Sequence, residues 1–263
     1  MKTKNFFLTA GLVLATALTG MMMTSCSKVD NPVADDDGYE GNPPMPQGRT
    51  VDLSKLSDGY KAQNGDTLTG KLDGPYRISI ADGATVTLSG ATIQGGKIED
   101  IKWAGITCEG SVTIVLADGS KNEVKGSENC AGIQVGDELT ICGTGELSAI
   151  GGDHGAGIGS GYSGKCGDIT IKGGTINATG GMYAAGIGSG FWGECRNIII
   201  SQPAKGTAKG DDGAYDIGAG ARGTCSTIIV ASGTISGRCG GSNGTVVDPV
   251  NGGGNSEDGP QSL

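Results

Sequence analysis

The chain has 263 residues, of which 52 are glycine, and it carries 28 acidic against 19 basic side chains. This glycine content is far above the ~7% of average proteins, but no strict Gly-X-Y period is present, which excludes a collagen-like triple helix. Without the two N-terminal lysines, residues 27–263 hold 17 basic and 28 acidic side chains, a net charge of −11. That charge argues against nucleic acid or an anionic membrane surface as a direct ligand.

The first segment has the pattern of an export signal. Lys2 and Lys4 precede an uncharged, mostly apolar run over residues 6–23, and Met23-Thr-Ser-Cys26 resembles a bacterial lipobox. We expect residues 1–25 to be a lipoprotein signal peptide and Cys26 to be lipidated, so that acyl chains alone anchor the protein to a membrane. A plain secretory signal followed by a chance cysteine is the alternative.

Residues 26–49 are predicted to form a lipidated tether. They contain the acidic run Asp35–Asp37 and four prolines between residues 32 and 46, a composition typical of a linker. An acidic run just behind a lipidated cysteine resembles the surface-export signal of some Gram-negative anaerobes. We therefore expect an exported outer-membrane lipoprotein that is exposed on the cell surface, although a merely solvated tether has the same composition.

An internal repeat dominates the rest of the chain. Gly155-Ala-Gly-Ile-Gly-Ser-Gly161 recurs as Ala184-Ala-Gly-Ile-Gly-Ser-Gly190, and weaker copies surround three further isoleucines. The separations between successive anchoring isoleucines are 27, 25, 29 and 30 residues, in the order Ile106, Ile133, Ile158, Ile187, Ile217. Within each period, apolar residues alternate at positions i and i+2 in three short segments between glycine-rich turns, which predicts three short strands.

These repeats predict an all-β fold over residues 50–238: a single-stranded parallel β-helix of about six coils, each of 25–30 residues. One such coil cannot bury its own apolar face, but stacked coils bury a continuous column. A propeller blade needs roughly 40–50 residues, so these repeats are too short for a propeller. Residues 239–263 lose the pattern, and we expect them to form a disordered tail rich in Gly, Asn and Ser.

Three cysteines are predicted to form a structural column. Cys166, Cys195 and Cys225 each lie three residues before the first apolar residue of the second strand. Side chains about 4.8 Å apart in successive coils do not converge on one ion, so we expect buried thiols and no metal site. The acidic balance permits calcium, but no motif supports it, and no cofactor is expected. Disulfide pairing is left open for the other four: Cys108, Cys130, Cys142 and Cys239.

The sequence offers little support for nucleotide binding or catalysis. The glycine-rich segment 157–161 is followed by another strand and not by the helix that a dinucleotide fingerprint requires. Parallel β-helices host polysaccharide lyases and hydrolases, but here Asp168 becomes Asn197 in the next repeat, and the lone His154 aligns with Tyr183. No pair of acids is placed for acid–base chemistry. We therefore expect no enzymatic activity.

Aromatic residues gather at one position of the repeat. Tyr162 and Phe191 are equivalent, Trp192 follows Phe191, and Tyr183 precedes the neighbouring strand. Only nine aromatic residues follow the signal segment, so this group predicts an outward edge that serves as a platform for sugar rings or as a partner surface. The same four residues could instead cover a corner of the coil.

Several of these units resemble a known repeat family. The units are Ala-Gly-Ile-Gly-Ser-Gly, Cys166-Gly-Asp-Ile-Thr-Ile171, Gly174-Thr-Ile-Asn-Ala-Thr-Gly180 and the segment 80–90. They resemble glycine-rich right-handed parallel β-helix repeat lipoproteins of Gram-negative anaerobes, often labelled carbohydrate-binding domain-containing proteins. Over residues 60–236, the resemblance implies a right-handed β-helix, a surface location and glycan binding. It supplies no binding residues.

The first hypothesis is therefore a surface lipoprotein that acts as a non-catalytic binding or adhesion module for polysaccharide or host glycan. The alternatives are a polysaccharide lyase or hydrolase, and a structural or partner-binding spacer. The expected partners are carbohydrate or a surface protein. The membrane is contacted through the lipid anchor only, and neither nucleic acid nor nucleotide is expected.

Overall fold

The computed structural model describes residues 48–241 and the strand Val246–Val247. Within them the secondary structure is almost entirely β, with a single 3-10 turn at Leu53–Lys55 and no α-helix. The strands pair in parallel and form a β-helix of about six turns, as predicted. The predictions for residues 1–25, for Cys26 and most of the tether, and for the end of the chain after Val247 lie outside the described residues. No helix in the described part is long and apolar enough to cross a membrane.

Each coil presents three faces. Face 1 holds the first strand of every coil, and the five anchoring isoleucines stand in register along it, Ile106 beside Ile133 and so on to Ile217. The eight strands of face 1 are Tyr60–Ala62, Ile78–Ile80, Ile106–Cys108, Ile133–Gln134, Ile158–Gly159, Ile187–Gly188, Ile217–Gly218 and Cys239–Gly240.

Faces 2 and 3 hold the second and third strands. Two strands near the start of the β-helix, Thr67–Lys71 and Thr85–Gln94, run through both faces, and Thr50–Asp52 pairs with the first of them. The other strands of face 2 are Ser111–Leu116, Glu138–Gly143, Asp168–Ile171, Ile198–Ile200, Ile228–Val230 and Val246–Val247. The other strands of face 3 are Lys121–Lys125, Glu146–Ile150, Thr175–Thr179, Lys205–Lys209 and Ile235–Ser236.

Two features interrupt this three-strand coil, and the sequence did not predict either. Two-residue strands pair across successive coils at the corner between faces 1 and 2: Lys165–Cys166, Glu194–Cys195 and Thr224–Cys225. An antiparallel hairpin, Lys97–Ile98 with Ile101–Lys102, projects from the side of the β-helix. Ile98 and Ile101 on this hairpin are 54% and 69% exposed.

The core is a narrow column of aliphatic side chains. In each strand the residues at alternate positions point inward, and the isoleucines of face 1 are fully buried in every coil from Ile78 to Ile217. Face 1 also requires glycine, since a Cβ on Gly159 would lie 1.7 Å from the carbonyl oxygen of Gly188 in the next coil. Close stacking of coils, rather than bulky aromatic packing, therefore fills this interior.

The predicted ends of the β-helix need correction. Cys239–Gly240 pairs with Ile217–Gly218, and Val246–Val247 pairs with face 2, so the β-helix continues past the predicted boundary at residue 238. The two strands correct the predicted start of the tail at residue 239, and in the first of them a small buried cysteine stands where the earlier coils carry isoleucine. At the other end, Arg49 was assigned to the tether, yet its backbone N–H donates to Asp66 at 3.1 Å.

Candidate functional site

A column of tight turns lies at the edge of face 1. Asn129, His154, Tyr183 and Gly213 occupy equivalent positions in four successive coils, with φ values of 65°, 62°, 61° and 76°. Glycine and asparagine tolerate this left-handed conformation, whereas an ordinary side chain there costs roughly 1–2 kcal/mol. His154 and Tyr183 are thus held where the backbone itself would favour glycine.

The loops that follow face 1 fold back onto these turns. The N–H of Tyr162 donates to the carbonyl of Asn129 at 3.0 Å, and the N–H of Phe191 donates to the carbonyl of His154 at 3.1 Å. The residue after Phe191, Trp192, is also left-handed, with a φ of 57°. Each loop is therefore fastened to the turn of the preceding coil, which brings aromatic side chains from two segments of the chain together.

The result is an aromatic cluster of five rings: His154, Tyr162, Tyr183, Phe191 and Trp192. Phe191 lies at its centre, with ring centroids 5.2 Å from Tyr183, 5.4 Å from His154, 5.8 Å from Tyr162 and 6.0 Å from Trp192. These separations fall in the range in which aromatic pairs attract each other. The four residues of the predicted edge thus lie side by side on the surface.

The cluster combines apolar ring faces with polar groups. Tyr162 and Trp192 are 48% and 50% exposed, so their rings are open to solvent. The guanidinium of Arg222 lies 5.2 Å from the ring centroid of Trp192, and Nδ1 of His154 lies 3.1 Å from Oδ1 of Asn129. Such a surface can pack against a flat, weakly polar ligand and also hydrogen-bond to it.

Sequence reasoning missed the roles of His154 and Asn129. His154 was treated as an isolated histidine, although the repeat alignment places it beside Tyr183 and so in the same column. That alignment was the available signal. The sequence does not disclose that the following loop folds back over the turn, and this contact is what joins His154 to Phe191.

The cysteine column lies at the corner between faces 1 and 2. Cys166, Cys195 and Cys225 stand in register, are free thiols, and are 5%, 4% and 1% exposed. Hydrogen bonding with the thiol of Cys166, together with burial, raises the pKa of Cys195 well above its ordinary value. Hydrogen bonding with Cys195, followed by burial, raises the pKa of Cys225. The thiols of Cys195 and Cys225 are therefore held in the protonated, unreactive form.

Two carboxylates near the repeat turns, Asp168 and Glu194, are held by structural contacts. Asp168 accepts hydrogen bonds from the backbone and side chain of Asn197 at 3.0 and 2.9 Å and pairs with Arg196 at 3.0 Å. Glu194 pairs with Lys165 at 2.8 Å. Within the described residues, no group of three or more His, Cys, Asp or Glu side chains is arranged to hold a metal ion.

Comparison with known proteins supports the fold. A family model described as a beta helix repeat matches residues 139–162 and 169–191, so the two matched segments end at Tyr162 and Phe191. Searches of curated proteins and of solved structures found no match. This fold occurs in polysaccharide lyases and in proteins without enzymatic activity, so it assigns no reaction by itself. The matched repeats and the parallel coils together show a β-helix repeat fold.

Proposed function

We propose that this protein is a non-catalytic module that binds carbohydrate through its aromatic cluster and acts on the cell surface as an exported lipoprotein. One observation carries the proposal: five rings form one cluster, in which Tyr162 and Trp192 are exposed and the other rings half-buried. Three of the five, His154, Tyr183 and Trp192, stand on left-handed backbone. Steric strain of this kind concentrates at functional sites.

The fold itself gives no reason for rings at these positions. Gly213 occupies the position of Tyr183 in the next coil and has the same left-handed backbone. Glycine would therefore satisfy the turn in every coil without the steric cost that histidine or tyrosine adds. Histidine and tyrosine thus lower stability at positions where glycine would not. A ligand that these side chains bind is the best explanation for their presence.

The chemistry of the cluster suits uncharged or weakly charged sugars. The faces of aromatic rings are electron-rich, so they attract the C–H bonds on the apolar side of a sugar ring. Tyrosine hydroxyls and the imidazole of His154 can hydrogen-bond to sugar hydroxyls. The acidic balance of the chain disfavours strongly anionic ligands. Successive coils also repeat the loop along the axis, which matches a ligand that is itself a repeating chain.

A glycan array and a pull-down on insoluble polysaccharides test this proposal. The full chain is kept in a detergent without a sugar headgroup and compared with the Phe191→Ala/Trp192→Ala variant. Loss of an aromatic anchor typically costs about 2 kcal/mol, so we expect roughly 30-fold weaker glycan binding.

The matched control is Ile199→Ala/Ile229→Ala, which removes two side chains of 40% and 39% exposure from face 2. It should bind like the unaltered chain. The proposal fails if the folded protein binds no glycan, or if the Phe191/Trp192 variant binds as tightly as the control.

The lipid anchor is tested separately. Incorporation of a radiolabelled fatty acid in the native host should depend on Cys26, because only this cysteine follows the predicted signal segment directly. Cys26→Ala should abolish the labelling. Unchanged labelling of that variant would contradict the assignment of Cys26 as the anchor.

A surface protein is the second candidate ligand. Met182 is 49% exposed, close in sequence to Tyr183, and adds a flexible apolar side chain of the kind that partner surfaces use. Crosslinking on intact cells, with the same Phe191/Trp192 variant, separates this candidate from glycan binding.

A further inference from the structure

A cavity of about 640 Å³ lies on the outer side of face 1, beside the aromatic cluster. The hairpin bounds it through Ile101, Lys102 and Trp103, and the loop from Gly161 to Gly164 bounds it opposite. Thr107 and Gln134 of face 1 line it between these two walls. We call it the hairpin cavity. Its volume falls within the 300–1,000 Å³ typical of small-molecule sites.

The hairpin cavity and the aromatic cluster share a wall. Tyr162 lines the cavity and also packs against Phe191, with 5.8 Å between the ring centroids. Asn129 lines the cavity and contacts His154 through its side chain. Gln134 holds the loop that separates the cavity from the cluster, because its Oε1 accepts a hydrogen bond from the N–H of Gly161 at 3.0 Å. A ligand chain that crosses Phe191 can therefore continue over Tyr162 into the cavity.

The lining combines apolar surface with hydrogen-bonding groups. Ile101 and Ala104 are apolar, whereas Thr107, Tyr162 and the amides of Asn129 and Gln134 offer donors and acceptors. Trp103 also lines the cavity, and its indole N–H is buried without a hydrogen-bond partner among the described residues.

The charged residues of the lining are already paired. Lys102 lies 2.7 Å from Glu128, and Arg77 lies 3.8 Å from Glu109. Each of these two cations is paired with a carboxylate, so the lining does not favour an anionic ligand. Its chemistry fits a compact ligand that carries many hydroxyl groups and no net charge.

We propose that the hairpin cavity is a second subsite of the carbohydrate site, which binds uncharged sugar residues of the same chain that stacks on the aromatic cluster. The inference rests on the proposed carbohydrate function and deepens it. It predicts that affinity grows with the length of the oligosaccharide until both the cluster and the cavity are filled.

The chain contains only two tryptophans, and they report on the two subsites separately. In Trp192→Phe the remaining Trp103 senses the cavity, and in Trp103→Phe the remaining Trp192 senses the cluster. Neutral gluco-, manno-, xylo- and N-acetyllactosamine oligosaccharides, from disaccharide to hexasaccharide, are the probes. We expect the emission of Trp192 to respond to short members of the binding series and that of Trp103 to respond only to longer ones.

Thr107 points outward from the face 1 strand Ile106–Cys108, so Thr107→Phe fills the cavity. The matched control is Thr113→Phe, which makes the same change at an outward position of face 2. Thermal unfolding of both confirms that they fold. We expect Thr107→Phe to lose about tenfold in affinity for the longest oligosaccharide, a loss of 1.4 kcal/mol, and to keep the affinity of the unaltered chain for the shortest. Thr113→Phe should keep the full dependence on length.

The outcomes separate the two proposals. If Thr107→Phe keeps the dependence on length and Trp103 emission never responds, the subsite is overturned while binding at the aromatic cluster stands. If Phe191→Ala/Trp192→Ala binds every oligosaccharide like the unaltered chain, the proposed function and the subsite both fail.

Discussion

Trp192 combines a strained backbone conformation with a half-exposed ring. Its φ of 57° is one that side chains rarely adopt, and its ring is half exposed. The exposed half of the ring adds nothing to stability, while the backbone conformation costs about 1–2 kcal/mol. The equivalent residues of the neighbouring coils, Ser163 and Arg222, share the strain, with φ values of 49° and 56°.

We therefore expect Trp192→Gly to separate stability from binding. Glycine relieves the steric cost of the left-handed backbone but loses the contacts with Phe191 and Arg222, so the free energy of unfolding should stay within about 1 kcal/mol of the unaltered chain. Glycan binding should fall at least tenfold. Thermal unfolding and calorimetric titration measure the two effects. A variant that unfolds far more easily would show instead that Trp192 is a packing residue.

Among the elements, the strands of the coil were predictable and the segments that leave the coil were not. The spacing of Ile106, Ile133 and their successors predicted the register of face 1, because a buried isoleucine must recur once per coil. The hairpin at residues 97–102 breaks this rule. Ile98 and Ile101 are three residues apart, which is not the alternation of a strand, and both are exposed, so periodicity could not place them.

The loops after face 1 were likewise only partly predictable from the sequence. Sequence equivalence placed Tyr162 beside Phe191, and the structure brings their rings together. Their contact with His154 depends on backbone hydrogen bonds between segments that are 37 residues apart, from Phe191 to His154. No local pattern encodes such a bond, so four of the five rings could be predicted, but His154 and the connection of the loops to the neighbouring turns could not.

Three buried cysteines give an element-scale prediction: Cys108 of face 1, and Cys195 and Cys225 of the cysteine column. Burial raises the pKa of Cys108 to about 12, and hydrogen bonding and burial raise those of Cys195 and Cys225. At pH 8 each thiol should therefore be almost fully protonated in the folded chain, and only the thiolate reacts with iodoacetamide.

We expect these three cysteines to resist alkylation in the folded chain and to react rapidly once the chain is unfolded in denaturant. Mass spectrometry of the tryptic peptides measures each site. Equal labelling rates in the folded and unfolded chain would contradict the buried, stacked arrangement.

At the scale of the whole molecule, the β-helix works as a rigid support. Parallel pairing fixes each coil to its neighbours, so loops at equivalent positions line up on one side without a large domain of their own. The aromatic cluster and the hairpin cavity both lie along face 1, where the strands are shortest and the loops are longest. Sites on such a scaffold need little reorganisation when a ligand binds, which favours affinity.

The central claim is that carbohydrate binds at the aromatic cluster, and a crystal structure of the full chain with the tightest-binding oligosaccharide tests it most directly. We expect sugar rings within about 4 Å of Phe191 and Trp192, with a hydroxyl group hydrogen-bonded to His154 or Tyr183. Sugar bound only on face 2 or face 3, with the cluster unoccupied, would contradict it.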